Sequence, residues 1–336
     1  MTMLSIGDLA HSFLIRRQTA GLKADLTRLG TELTTGRKAD LSQALAGDYG
    51  PYAGIERALR AVAAFETANT EAAGMMAAAQ LALENVQDIG RDVTPALLTA
   101  SSSRDATLIR ATSGDARAKF SSVVSTLNTS YADRTLFGGA ATDRPALATG
   151  DAMMAELKLL VAGETTASGV VAVVDAWFDD PGGGFETMGY LGSATDLAPF
   201  QIADGETVAA DTRADAAEIR GLLKGYALAG LIAEGALSGD VGEQATLIST
   251  AAERMLTSED DLTDIRARIG TVEARIEDAE ARNAAEAAAY DLARTELVGA
   301  DPYETATRFE AVYSQIETLY TATAKIAALK FTDYVR

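Results

Sequence analysis

The stretch "YADRTLFGGAATDRPAL", residues 131–147, decides how the chain is laid out. The sequence before it, back to the breakers near Pro51, is written in alanine, leucine and polar residues at helical spacing. Here aromatic residues, the Gly138-Gly139 pair and Pro145 arrive together. Paired glycines and a proline are poor helix interior, so a helix must stop at this point. Helical patterning returns near Asp215. The chain leaves a helical body through Phe137, Gly138 and Gly139, which are read as the turn from rod to insert, and later re-enters it.

Upstream, Ile15, Leu22, Leu26, Leu29 and Leu33 follow heptad spacing with charged residues between them. This predicts a helix that lays one narrow apolar stripe on a partner. Gly36, Gly47, Gly50 and Pro51 break it, and residues 37–54 read as an irregular connector. Ile55, Leu59, Val62, Asn69, Met76, Ala79, Leu83, Val86 and Val93 then recur at threes and fours, predicting a much longer helix. Thr94-Pro95 resembles an N-cap followed by a first-turn proline, so a kink or restart is expected there. A further helix is expected from "SSSRD" to about Asn128, with Leu108, Ile109, Phe120, Val124 and Leu127 on its apolar side.

Residues 145–214 contain Pro181, Gly182 to Gly184, Pro199 and Gly205. "GVVAVVDAWF" (169–178) has the β-branched and aromatic character of a strand. "FQIADGETVAAD" (200–211) reads as two short strands around Asp204-Gly205. With some helix near "DAMMAELKLLV" (151–161), the segment is expected to be a small, mostly β surface insert. Downstream, Leu262, Ile265, Ile269, Val272, Ile276 and Ala279 give regular three-four spacing, the clearest seam in the chain. "GADPYE" (299–304) interrupts it, with Asp301 as cap, Pro302 in the first turn and Glu304 three after the cap. The last helix carries Phe309, Val312, Ile316, Leu319 and Ile326.

The order is palindromic: short seam, break, long helix, insert, long helix, break, short seam. Neither end can bury its stripe unless the two ends pair. The expected fold is mainly α, an elongated antiparallel helical coiled-coil rod formed by the two chain ends, with a small mostly β domain inserted in the middle. The expected divisions are a terminal coiled-coil domain (1–40 and 301–336), a helical rod domain (41–144 and 215–300) and the insert (145–214). The seams have two readings, an intramolecular coiled coil or one that also mediates subunit packing.

Composition agrees with long thin helices. The chain has 336 residues, 48% hydrophobic but only 6% aromatic, and much of the apolar content is alanine. The net charge of −19 argues against nucleic acid or anionic membrane as partner, since both need a basic surface. There are no cysteines, which excludes disulfides and thiolate chemistry. His11, the only histidine, reads as structural, and one histidine without cysteine leaves no usual zinc site or nucleophilic triad. "LFGGA" lacks the lysine of a phosphate loop, and Asp179-Asp180 lacks the spacing of a calcium loop. Met75, Met76, Met153 and Met154 read as packing residues, and Trp177 as the anchor of the insert's core. No catalytic residue, metal site or cofactor is expected. The amino terminus shows no basic start followed by an apolar run, so no cleaved secretory signal is expected.

Three stretches resemble the bacterial flagellin family, and within it the hook–filament junction proteins. "RLGTELTTGRKADL" (28–41) is similar to the family's amino-terminal helix with its Gly-Arg/Lys ending. "NTSYADRTLFGGAATDRPAL" (128–147) looks like the family's exit from the inner rod. "DPYETATRFEAVYSQIETLYTATAKIAALKFTDYV" (301–335) is similar to the terminal helix that docks on the amino-terminal one. The chain ends "AALKFTDYVR" without the Asn-x-x-Pro-Gln run of filament flagellin, which favours the junction type. The resemblance implies a structural adaptor rather than an enzyme. It implies export in an unfolded state by the flagellar type III apparatus and an extracellular place on the flagellum, at the hook–filament junction. The implied partners are its own copies in a ring, the hook protein or an adjacent hook-associated protein, filament flagellin and an export chaperone. Filament flagellin itself, or a secreted coiled-coil binding protein or effector, is the alternative.

Overall fold

The computed structural model describes residues 6–328, and within them the side chains of residue 10 and residues 12–325. Expectations for His11 and Ile326 as side chains, and for residues beyond Ala328, lie outside the described residues. The chain is mainly helical: α1 (Ile6–Thr35), α2 (Leu41–Ala44), α3 (Gly50–Ser103), α4 (Ala106–Leu127), α5 (Gly150–Leu160), α6 (Ala167–Asp179), α7 (Ala217–Leu231), α8 (Val241–Val298) and α9 (Pro302–Ala328). Two small antiparallel hairpins are inserted, β1 (Ser130–Tyr131) with β2 (Arg134–Thr135), and β3 (Phe200–Ala203) with β4 (Glu206–Val208). The chain forms two compact units, residues 1–63 with 284–336, and residues 64–283.

In the unit built from the two chain ends, α1 packs on α9. The pair is antiparallel: Gly30 faces Phe309, while Lys23 lies over the Tyr320 ring at 5.8 Å. Each helix starts and stops for local reasons. Gly36, at φ +66°, turns the chain out of α1. Asp40 caps α2 by accepting from the Ser42 and Gln43 N–H groups. Asp301 caps α9 by accepting from Tyr303 and Glu304 N–H at 2.8 and 2.9 Å. Between them the Lys38 N–H donates to Val298 O (2.8 Å) and the Ala300 N–H to Gly36 O (3.0 Å), a short antiparallel stitch that ties the two breaks together.

The unit of residues 64–283 carries the main core. Here α3 and α8 run antiparallel, with Gln80 Nε2 donating to Arg266 O (2.7 Å) and Gln87 Nε2 to Thr263 Oγ1 (3.1 Å). The expected seam on α8 is buried at Leu262, Ile265, Ile269, Ile276 and Ala279. α4 packs closely on α7, α5 packs on both, and α6 packs on α7 and α5. Phe120, Leu127, Leu223 and Tyr226 share one core with Met153, Leu157, Val170, Val174 and Trp177.

Three expectations are corrected. The "GVVAVVDAWF" stretch lies in helix α6, not a strand. Thr166 caps this helix, accepting from the Gly169 N–H, and Val170, Val174, Trp177 and Phe178 fall at threes and fours on one buried face. A short β-branched run reads as strand in isolation, and tertiary packing overrides that preference. Second, residues 145–214 hold more helix than strand, and their apolar side chains belong to the shared core rather than to a surface insert. The hairpin expected around Asp204-Gly205 is present as β3 and β4, with Gly205 at φ +69°. Third, α3 runs through Pro95 without restarting. Thr94 is not a cap: it is buried, and its hydroxyl lies 3.4 Å from both Gly90 O and Glu259 Oε1.

Candidate functional site

The expected site has two parts, and each lies within one unit. The first is the seam between α1 and α9. On α1, Leu29 is buried at 3% exposure, while Ile15, Leu22 and Leu26 are half-buried. Leu33 is exposed, and the position beside it, Glu32, takes the buried place instead. The Glu32 carboxylate reaches across the break to accept from the Ala39 N–H at 3.1 Å, so the helix end is closed by a charge-assisted bond rather than by a leucine. Arg28 bridges Asp25 at 3.0 Å and Glu32 at 3.5 Å, and the Asp25 hydrogen bond is the main cause that raises its pKa further. On α9, Ile316 is buried and Phe309, Val312 and Leu319 are half-buried. α1 and α9 pack on one another, and along this pair the buried apolar side chains, among the described residues, are Leu29 on α1 and Ile316 on α9.

The second part is the turn at Phe137, Gly138 and Gly139. Phe137 is fully buried. Its carbonyl accepts from the Ala214 N–H (2.9 Å), and the Gly138 carbonyl accepts from the Ser193 N–H (2.9 Å). The Ala140 N–H donates to Thr195 O at 2.9 Å. The chain is thus pinned to its own returning segment where it leaves. Gly139 is at φ +60°, and a Cβ there would lie 2.6 and 2.8 Å from the Thr195 and Ser193 carbonyl oxygens. Only glycine satisfies both constraints. Arg213 locks the return: it bonds Asp215 at 2.8 Å, Asp196 at 2.5 Å and Ala194 O at 2.8 Å, and its pKa is raised chiefly by the Asp215 bond. Burial, with the Asp215 charge, pushes the neighbouring Tyr190 hydroxyl up to about 12.

Sequence reasoning missed one feature in each part. Asn128 bonds the backbone of Leu147 twice, Nδ2 to the carbonyl at 2.9 Å and Oδ1 from the N–H at 2.8 Å, like a strand neighbour. Only the polar residue at the helix end hinted at it. Tyr303, Tyr313 and Tyr320 stand exposed along α9. Their spacing was visible, but the apolar seam beside them carried the stronger pattern. Among the described residues, no group of three or more His, Cys, Asp or Glu is placed to hold a metal ion, and no helix is long and apolar enough to cross a membrane.

Paired terminal helices, a stitched double break and a pinned exit turn define a class: helical proteins whose two chain ends form one unit while the middle of the chain folds as another. Residues 253–334 match the family model for the bacterial flagellin C-terminal helical region. The fold is similar to that of Bacillus cereus FlgL in its crystal structure, with TM-score 0.51 and 13% identity over 72% of this chain and 100% of that chain. A flagellar hook-associated protein from Vibrio parahaemolyticus aligns at TM-score 0.49 and 11% identity, over 73% of this chain and 94% of that one. No curated protein sequence matches the chain.

Proposed function

We propose that this chain is a structural adaptor of the bacterial flagellum that joins hook to filament, working by shape and packing rather than by catalysis. The observation that carries the reading is the thin α1–α9 pair in a chain whose carboxyl-terminal region is of the flagellin type. One pair of helices buries little apolar area against the entropy of ordering some sixty residues, so it gains most of its stability from neighbours. Those neighbours are further copies of the chain, with the hook protein or another hook-associated protein on one side and filament flagellin on the other. The chain acts outside the cell, after export through the flagellar type III apparatus. In this reading residues 1–40 and 301–336 are the terminal coiled-coil domain, and Ile15, Leu22, Leu26, Leu29, Phe309, Val312, Ile316 and Leu319 hold it together for assembly.

A label on the protein in intact cells tests this. A single band at the distal end of the hook is the expected result, and deletion should leave hooks without filaments and filament protein in the medium. A label along the whole filament would replace the adaptor with the second reading, filament flagellin, which the match to the flagellin C-terminal region also favours. Normal motility in the deletion strain would remove both.

A further inference from the structure

Two stripes run along α9. Thr305, Phe309, Val312, Ile316 and Leu319 are the buried or half-buried one against α1. About a third of a turn around the helix, Tyr303, Glu310, Tyr313, Glu317 and Tyr320 form the second. All five are exposed, the tyrosines by 84%, 52% and 50%. Three aromatic rings in line on one helix face are more than scattered surface apolarity. Among the described residues Glu310 and Glu317, set between the rings, have no ion pair.

The exposed face of α1 has the opposite pattern. Phe13 and Leu14 are exposed by 66% and 62% beside Arg17, which likewise has no ion pair among the described residues. Beyond Arg17 the face continues through Ala20, Ala24 and Thr27, all small and exposed. The Thr27 hydroxyl turns back on Lys23 O at 2.9 Å, so it is already satisfied within its own helix. One face thus offers rings and carboxylates; the other offers a shallow floor with a guanidinium at its end.

We infer that the tyrosine–glutamate stripe of α9 docks on the Phe13–Arg17–Ala20 face of α1 in a second copy of this chain. The inference rests on the self-assembly in the proposed function and adds which faces meet. Because the two faces differ, the contact is heterologous: each copy gives α9 to one neighbour and α1 to another, the arrangement that closes into rings. Charge permits it here. Residues 1–63 with 284–336 hold 13 basic and 14 acidic residues, so like copies do not repel through this unit as they would through residues 64–283, which hold 16 and 34. Copies that share one direction place α9 antiparallel to the neighbour's α1, as it is to its own. Arg17 set against Glu317 then brings Phe13 and Leu14 beside Tyr320, and Ala20 beside Tyr313.

The chain has no cysteine, so single-cysteine variants report cleanly. Full-length Tyr313→Cys and Ala20→Cys chains are mixed at assembling concentration under mild oxidation. Disulfides joining the two different variants should dominate. Disulfides formed mainly between two copies of the Tyr313→Cys chain would mean an isologous contact and overturn the inference. Association seen by sedimentation without any cross-link would overturn the choice of faces and leave self-assembly standing. Absence of association at any concentration would sink both. In parallel, Arg17→Glu should weaken association on the order of tenfold, and Glu317→Arg in the same chain should restore it; failure to restore overturns the register.

Discussion

The two units of this protein are built to different specifications. Among the described residues, the unit of the chain ends buries Leu29, Leu45, Val62, Val298 and Ile316 and no other hydrophobic side chain. The unit of residues 64–283 buries a continuous core that includes Phe120, Phe137, Phe178, Phe185, Trp177 and Tyr226. The first unit is near electrical balance, and nearly all of the −19 net charge falls on the second. The difference separates two tasks. A deep core under an acidic surface makes a self-sufficient body that stays soluble and resists sticking to its copies. A thin, near-neutral helix pair with exposed rings has little core of its own, which is what the proposed adaptor role asks of it.

The largest test of this contrast is Phe137→Ala. Removing a fully buried ring should cost about 3–5 kcal/mol and lower the thermal midpoint of the 64–283 unit, read by calorimetry. Hydrogen exchange of α1 and α9 should change little; if they lose protection in step with the core, the two units are one. Next comes Ile316→Asp, which puts a carboxylate into the buried stripe of the thin pair. The expected cost is a few kcal/mol, enough to unravel the pair and block assembly while the main melting transition stays in place. A large drop in that transition would show the terminal unit supports the other.

Smaller and opposite in sign is Asn69→Leu. Asn69 is fully buried on the α3 seam and neither polar atom of its side chain has a partner. Leucine there should stabilise the 64–283 unit by about 1 kcal/mol, since an unpaired buried amide is removed; a loss of stability would mean the amide is satisfied in solution. The smallest effect at neutral pH concerns Tyr190, held near 12, and Tyr226, raised by burial above its ordinary value. Both bind their protons more tightly when folded. Their contribution is fully present below about pH 10, the unfolded value, and fades as pH rises through the folded values. Alkaline denaturation should therefore strike the 64–283 unit above about pH 10, and Tyr190→Phe should blunt it.

How much of this could be read from residues differed by element. The α8 seam from Leu262 to Ala279 was legible because three-four spacing over many turns has one meaning. The pairing of the chain ends followed because neither stripe could be buried alone. The turn at Gly138-Gly139 was legible as a turn, but its clamp by Ser193 and Ala214 was not, because it joins positions far apart in the chain. α6 was misread because Val170 and Val174 carry strand preference and helical spacing at once. At Pro95 local rules predict a kink or a restart; the restart is absent, because α3 continues through the proline.

The clamp at Phe137 also sets a schedule. Ala214 meets Phe137 across the whole central excursion, and Gln80 meets Arg266 across 186 residues, whereas the contacts of α4 with α5 and the hairpins are near neighbours. Closing a longer loop costs more chain entropy, and contacts with long separation form late. Folding should start in the middle of the chain, be sealed when the returning segment reaches Phe137, and then zip α3 along α8 toward the termini. Pulsed hydrogen exchange should show amides of α4 and α7 protected before those of α8 beyond Arg266. The chain ends, with the largest loop of all to close, are the last to meet, so folding passes through an open phase in which the terminal helices are still unpaired.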